Sequence, residues 1–193
     1  MKWVNTMIVQ SGVKNNNSAN RLTYALFIIY LLALLWIIVF KLNVSFSYVR
    51  GTRSINLIPF SRPLILNGKV DYGENILNVL IFLPLGVYTG ILFKRWTIGR
   101  KIFFFFLTSL SCEALQLIFG IGAFDITDII NNTAGGITGL ILFKGIEKLF
   151  KTPVKAQKFI NILAALGTVV MIVLLLLLKT NNLWINGRNI RYR

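Results

Sequence analysis

The 193-residue chain has no histidine, one cysteine and only six acidic residues. Without imidazole there is no Ser-His-Asp or Cys-His nucleophile and no histidine metal site. Cys112 alone makes neither an internal disulfide nor a thiolate zinc cluster. Any chemistry therefore falls to carboxylates, amides, hydroxyls and basic groups. Charge of either sign is scarce: 14% of residues are charged, 55% are hydrophobic, and the mean hydropathy is +0.70. That is the composition of a membrane protein. The net charge of +15 comes from 21 Lys and Arg. Such an excess occurs in nucleic-acid-binding proteins, but membrane loops carry it too, and the hydropathy decides against a nucleic-acid partner.

A helix needs about 20 apolar residues to cross a bilayer core of about 30 Å. Residues 22–40, 76–93, 102–119 and 159–178 meet that need. A fifth segment, 126–143, opens with Asp128, Asn131 and Asn132 before turning apolar, and it is required to return the chain to the side its flanks demand. The expectation is an all-α polytopic membrane protein of about five transmembrane helices. Residues 1–21 would form a cytoplasmic tail, mobile over 11–20; residues 22–178 a single helical domain; residues 179–193 a C-terminal tail. The first apolar run exceeds a signal-peptide core and no small-residue cleavage pattern follows it, so it reads as a retained anchor.

Orientation follows from Lys and Arg in the loops. Residues 94–101 hold four basic residues, whereas residues 120–125 hold none and end on Asp125. The first loop is expected in the cytoplasm and the second outside, with the N-terminus inside. At a rise of about 1.5 Å per residue, the rare polar groups then gather in the outer half of the bundle. Asn75 and Asn78 share a face of the second helix, and Glu113 and Gln116 share one of the third. Asp128, Asn132, Gly135 and Gly139 form one stripe down the fourth, headed by Asp125. A carboxylate about twelve residues into an apolar helix, as Glu113 is, costs a few kcal/mol and commonly marks function; otherwise it is a structural hydrogen-bond partner. Asp125 has a second reading as a helix cap.

Gly135 and Gly139, with Gly136 beside them, allow close approach of another helix. Ser109, Ser111 and Cys112 on the third helix are the expected partners. Pro84 and Gly86 are expected to kink the second helix and open a cavity toward the outer leaflet. The external loop, Ser-Ile-Asn-Leu-Ile-Pro-Phe-Ser-Arg-Pro over 54–63, sets an apolar patch among Arg50, Arg53 and Arg62 and precedes an Asn67-Gly68 turn. It suits a lipid headgroup layer, or it is a connector with solvated arginines.

In order, the blocks Asn56-Leu57-Ile58-Pro59-Phe60, Asn75-Ile76-Leu77-Asn78, Phe82-Leu83-Pro84-Leu85-Gly86, Ser111 with Glu113 and Gln116, Phe124-Asp125-Ile126-Thr127-Asp128, and Asn132-Thr133 with Gly135-Gly136 resemble the VanZ-like family. The resemblance covers about residues 55–143. It implies a small polytopic protein of the bacterial plasma membrane, in a family whose namesake is linked to teicoplanin resistance. One departure is Gly122, where many members carry a basic residue; if that residue pairs with the carboxylates, either Arg50, Arg53 or Arg62 substitutes for it or the cluster takes a different ligand.

Three functions fit. The first is a non-enzymatic accessory factor whose outer cluster (Asn75, Asn78, Glu113, Gln116, Asp125, Asp128, Asn132) contacts membrane lipids or lipid-linked envelope components and serves resistance to glycopeptides or envelope homeostasis. No cofactor is expected for it. The second is a membrane enzyme acting on a lipid-linked substrate, with Glu113 as general acid or base and Asp125 with Asp128 holding Mg²⁺ or Ca²⁺. The third is a transporter, which would require a homo-oligomer through the glycine face.

Overall fold

A computed structural model describes residues 2–40, 54–61, 64–66, 69–120 and 122–188. Five helices dominate it: α1 (Lys2–Phe40), α2 (Gly73–Leu92), α3 (Ile98–Phe119), α4 (Ile126–Phe150) and α5 (Pro153–Arg188). Four short strands decorate one end: β1 (Ile55–Asn56), β2 (Leu64–Leu66), β3 (Lys69–Asp71) and β4 (Phe124–Asp125). The chain is an all-α membrane protein. Ala19–Ile38, Gly73–Leu92, Ile98–Phe119 and Pro153–Leu177 are each long and apolar enough to cross a bilayer. α4 is 25 residues long, but Asp128, Lys144, Glu147 and Lys148 dilute its hydropathy.

The helix ends follow local chemistry. Thr97 caps α3 by accepting from the Arg100 N–H at 3.3 Å, and Gly120 closes it in the left-handed conformation at φ 65°. Pro153 opens α5 at a position where a missing N–H costs nothing. α1 includes residues 11–20, and α5 continues to Arg188, ten residues past the apolar run that ends at Leu178. A helix already nucleated by an anchored span extends at low cost per residue, and the Ala19 carbonyl accepts from Thr23 and Asn161 instead of ending the helix.

The center of the bundle is a parallel α2–α4 pair. Cβ atoms added at Gly135, Gly139 and Gly86 would meet the backbone of Val79, Leu83 and Gly136 respectively, and one at Gly90 would meet the Phe143 ring. The contacts advance together along both helices, so α2 and α4 run in the same direction. The partner of the glycine stripe is therefore α2, through its own Gly86 and Gly90, rather than the small residues of α3. α3 offers Phe105 to Gly136 instead, while Ser111 is exposed. This glycine face is used within the chain, against α2. Phe82, Leu85, Phe105 and Leu34 complete the core.

Pro84 does not break α2, which is helical from Gly73 to Leu92. The cavity beside it is lined by α1, α2, α4 and α5 and contains none of the outer polar residues. Pro84 itself lines this groove, whose walls are apolar.

Candidate functional site

Two-residue strands set the site's frame. β1 pairs in parallel with β4, with Ile55 opposite Phe124 and Asn56 opposite Asp125. The Phe124 N–H also donates to the Ser54 carbonyl at 2.9 Å. This seats residues 54–61 on the N-terminus of α4.

Asp125 is the N-cap of α4. One carboxylate oxygen accepts from the Thr127 N–H at 2.8 Å and the other from the Asn56 side chain at 3.0 Å. Asp125 therefore caps α4, and the same carboxylate also ties β1 to the start of that helix. Its own N–H donates to Glu113 Oε2 at 3.0 Å. Asn56 Oδ1 accepts from Ser61 Oγ at 2.9 Å, and the Phe60 N–H donates to Thr127 Oγ1 at 3.0 Å. Phe60 sits at φ 56°, turning the loop there.

Below this lid the helices are tied pairwise. Asn78 on α2 donates to Asp128 Oδ1 on α4 at 2.7 Å. Asn132 on α4 donates to Ser109 Oγ on α3 at 2.9 Å. Gln116 Nε2 on α3 donates to the Ile38 carbonyl of α1 at 2.7 Å. Glu113, Gln116 and Asn132 are 1%, 2% and 0% exposed, so these groups lie inside the bundle, as intramembrane polar groups generally do. Asp125, Asp128 and Asn78 are half-buried. Asn75 is half-buried at the start of α2, outside this hydrogen-bonded set. Gly122 lies beside Gln116: a Cβ there would stand 3.6 Å from Gln116 Oε1. Arg50, Arg53, Arg62 and the Asn67-Gly68 turn lie outside the described residues.

The arrangement is rich in acceptors. Gln116 Oε1 and Asn132 Oδ1 are buried without a hydrogen-bond partner. Among the described residues, no three of His, Cys, Asp and Glu gather closely enough to hold a metal ion. For acid–base chemistry, Glu113 would have to touch a substrate, yet it is shut inside the bundle with one oxygen bound to the Asp125 N–H.

Several participants were missed. Asn56, Ser61, Thr127 and Ser109 join the cluster through pairings that no periodicity announces. A second polar cluster contradicts the expectation that buried polar groups gather in the outer half. At the end of the bundle where α5 begins, Gln157 Nε2 donates to Thr23 Oγ1 at 2.8 Å and to Asn20 Oδ1 at 2.9 Å, and Thr23 Oγ1 lies 2.9 Å from Asn161 Oδ1. The four-residue spacing of Gln157 and Asn161 was the available signal.

A bundle of apolar helices, with a buried carboxylate on one helix bound to the capping aspartate of the next and a two-strand clasp above them, defines a polytopic membrane protein built around an internal polar cluster. The family model described as VanZ/LLP1 matches residues 27–151, which include every described residue of that cluster. The chain belongs to this family. It is 35% identical to Protein VanZ of Enterococcus faecium over 162 residues, covering 83% of this chain and 94% of that one. No solved structure matches.

Proposed function

We propose that this chain is a non-enzymatic accessory protein of the bacterial plasma membrane that serves resistance to glycopeptides of the teicoplanin kind or envelope homeostasis. It acts through the cluster of Glu113, Asp125, Asp128 and their amide partners. In this reading all five helices cross, the N-terminus is cytoplasmic and the cluster faces the outer leaflet. The apolar loop above it meets membrane lipids or lipid-linked envelope components. The observation that carries the reading is the bond from the Asp125 N–H to Glu113, a carboxylate only 1% exposed. A buried carboxylate is expensive to keep in a membrane, and this one lies beneath a loop whose Leu57, Ile58 and Phe60 are exposed. The similarity to Protein VanZ supplies the phenotype to examine.

The test replaces the carboxylates one at a time, as Glu113→Gln, Asp125→Asn and Asp128→Asn, in a strain lacking its own copy. Membrane abundance and teicoplanin susceptibility are measured together. The expected result is susceptibility approaching that of the deletion strain at preserved abundance, with Glu113→Gln the strongest. Unchanged susceptibility in all three variants would remove the cluster from the function.

A further inference from the structure

Two cavities follow one another along α1, α2 and α5, and neither includes a residue of the outer cluster. The first, about 430 Å³, is lined by Asn20, Tyr24, Lys94, Arg95, Trp96 and Gln157 among others. It lies at the basic end of the bundle, where the loop between α2 and α3 supplies two adjacent cations. Trp96 stacks on Phe93 with ring centroids 4.4 Å apart, the kind of amphipathic ring that sits at headgroup level. The second cavity, about 500 Å³, begins about one turn deeper, at Tyr30, Tyr88 and Ile160, and reaches Met171 on α5. Its walls are almost wholly aliphatic. The Tyr30 hydroxyl donates to the Ile81 carbonyl and the Thr168 hydroxyl to the Ala164 carbonyl, both at 2.8 Å, so these hydroxyl protons are already committed within the protein.

We propose that the two cavities together hold one anionic glycerophospholipid from the leaflet at the basic end, with its phosphate at Lys94 and Arg95 and one acyl chain in the groove. Charge decides the headgroup: the mouth carries two cations and no carboxylate. Guanidinium and ammonium groups bind phosphate oxygens through charge-assisted hydrogen bonds, and the amides of Asn20 and Gln157 offer polar contacts to the rest of the headgroup. Length decides the chain. From Gln157 to Met171 the α5 axis rises about 21 Å, more than the roughly 15 Å half-thickness of a bilayer core, so an acyl chain fits along it. The site is separate from the outer cluster and does not rest on the function proposed above.

Gly167 provides the decisive variant. It lines the groove, and a Cβ placed there meets nothing within 4 Å, so Gly167→Leu adds bulk at the groove wall without striking the fold. The full chain is reconstituted in phosphatidylcholine vesicles with Trp96 as its single tryptophan (W3F, W36F, W184F). Its fluorescence is titrated with phosphatidylglycerol or phosphatidylcholine carrying dibrominated chains. The expected result is roughly threefold stronger quenching by the phosphatidylglycerol at equal mole fraction, lost both in K94Q/R95Q and in Gly167→Leu. A preference lost in K94Q/R95Q but intact in Gly167→Leu would reduce the mouth to an ordinary basic surface and overturn the site. Equal quenching by the two lipids would overturn it as well. The same contrast is read with all native tryptophans present, by counting phosphatidylglycerol retained after detergent extraction in native mass spectrometry. Retention that Gly167→Leu leaves unchanged counts against the groove.

Discussion

The α2–α4 pair and the α1–α5 pair solve the same packing problem in opposite ways. α2 and α4 touch backbone to backbone through glycines on both helices and carry carboxylate hydrogen bonds at one end. α1 and α5 meet through a neutral knot of Thr23, Gln157 and Asn161, and beyond it α5 leaves Leu163, Leu166, Val169 and Val170 exposed. Lipid tails are as apolar as leucine, so leucine-rich faces gain little by meeting each other, and association relies on close packing and polar contacts. One pair has both devices and the other has only the second. Asp125 and Asp128 head the tightly packed pair, with Glu113 reaching them from α3; the apolar groove lies where α1 and α5 face that pair.

The sharpest way to break this contrast is to separate the rigid pair. Gly139→Leu, whose Cβ would run into the Leu83 carbonyl, is expected to cost about 3 kcal/mol or more, by overpacking, and to remove most of the folded protein from membranes in an abundance assay. Gly167→Leu on the loose pair is expected to leave abundance unchanged. Next in size, Glu113→Ala leaves the Asp125 N–H without its acceptor and is expected to cost about 1–3 kcal/mol in a denaturation titration in detergent. Glu113→Gln keeps an acceptor and is expected to lose less than half of that. If Ala and Gln behave alike, the bond to Asp125 contributes nothing to the fold. Asp125→Ala removes a cap and the anchor of Asn56, an expected loss of about 1 kcal/mol, seen also as faster proteolysis of the 54–61 loop. The smallest effect belongs to the neutral knot: Asn161→Leu is expected to cost about 0.6 kcal/mol and to leave teicoplanin susceptibility untouched. A larger loss than that of Glu113→Ala would invert the ranking of the two pairs.

Much of the fold was legible because long uncharged runs have few ways to be placed. The four strongest spans and the helical nature of α4 could be read from residue order, and Glu113 stood out because a carboxylate so deep in an apolar run is costly unless it has a partner or a role. Other features were hidden for physical reasons. The β1–β4 pairing joins residues nearly seventy positions apart through only two residues per strand, too short for any alternation to register. The glycine stripe was visible, but its partner was not chosen correctly: serine and cysteine on α3 are small, yet only Gly86 and Gly90 on α2 let backbones touch. Thr23, Gln157 and Asn161 were overlooked because neutral polar residues near a span's end raise no energetic alarm, unlike a carboxylate. Residues 11–20 are helical despite their asparagines, whose weak helix preference yields to the anchored span that follows.

The glycine contact between α2 and α4 also has a consequence for how such a protein changes over generations. Where two helices are spaced by main-chain atoms, their separation is a constant of the polymer rather than a product of particular side chains. The height of Asn78 relative to Asp128 is then set by a ruler lying a few turns away, and substitutions among the cluster residues retune its chemistry without resetting its dimensions. A lineage can explore new ligands at the rim while the glycines below it hold the scale.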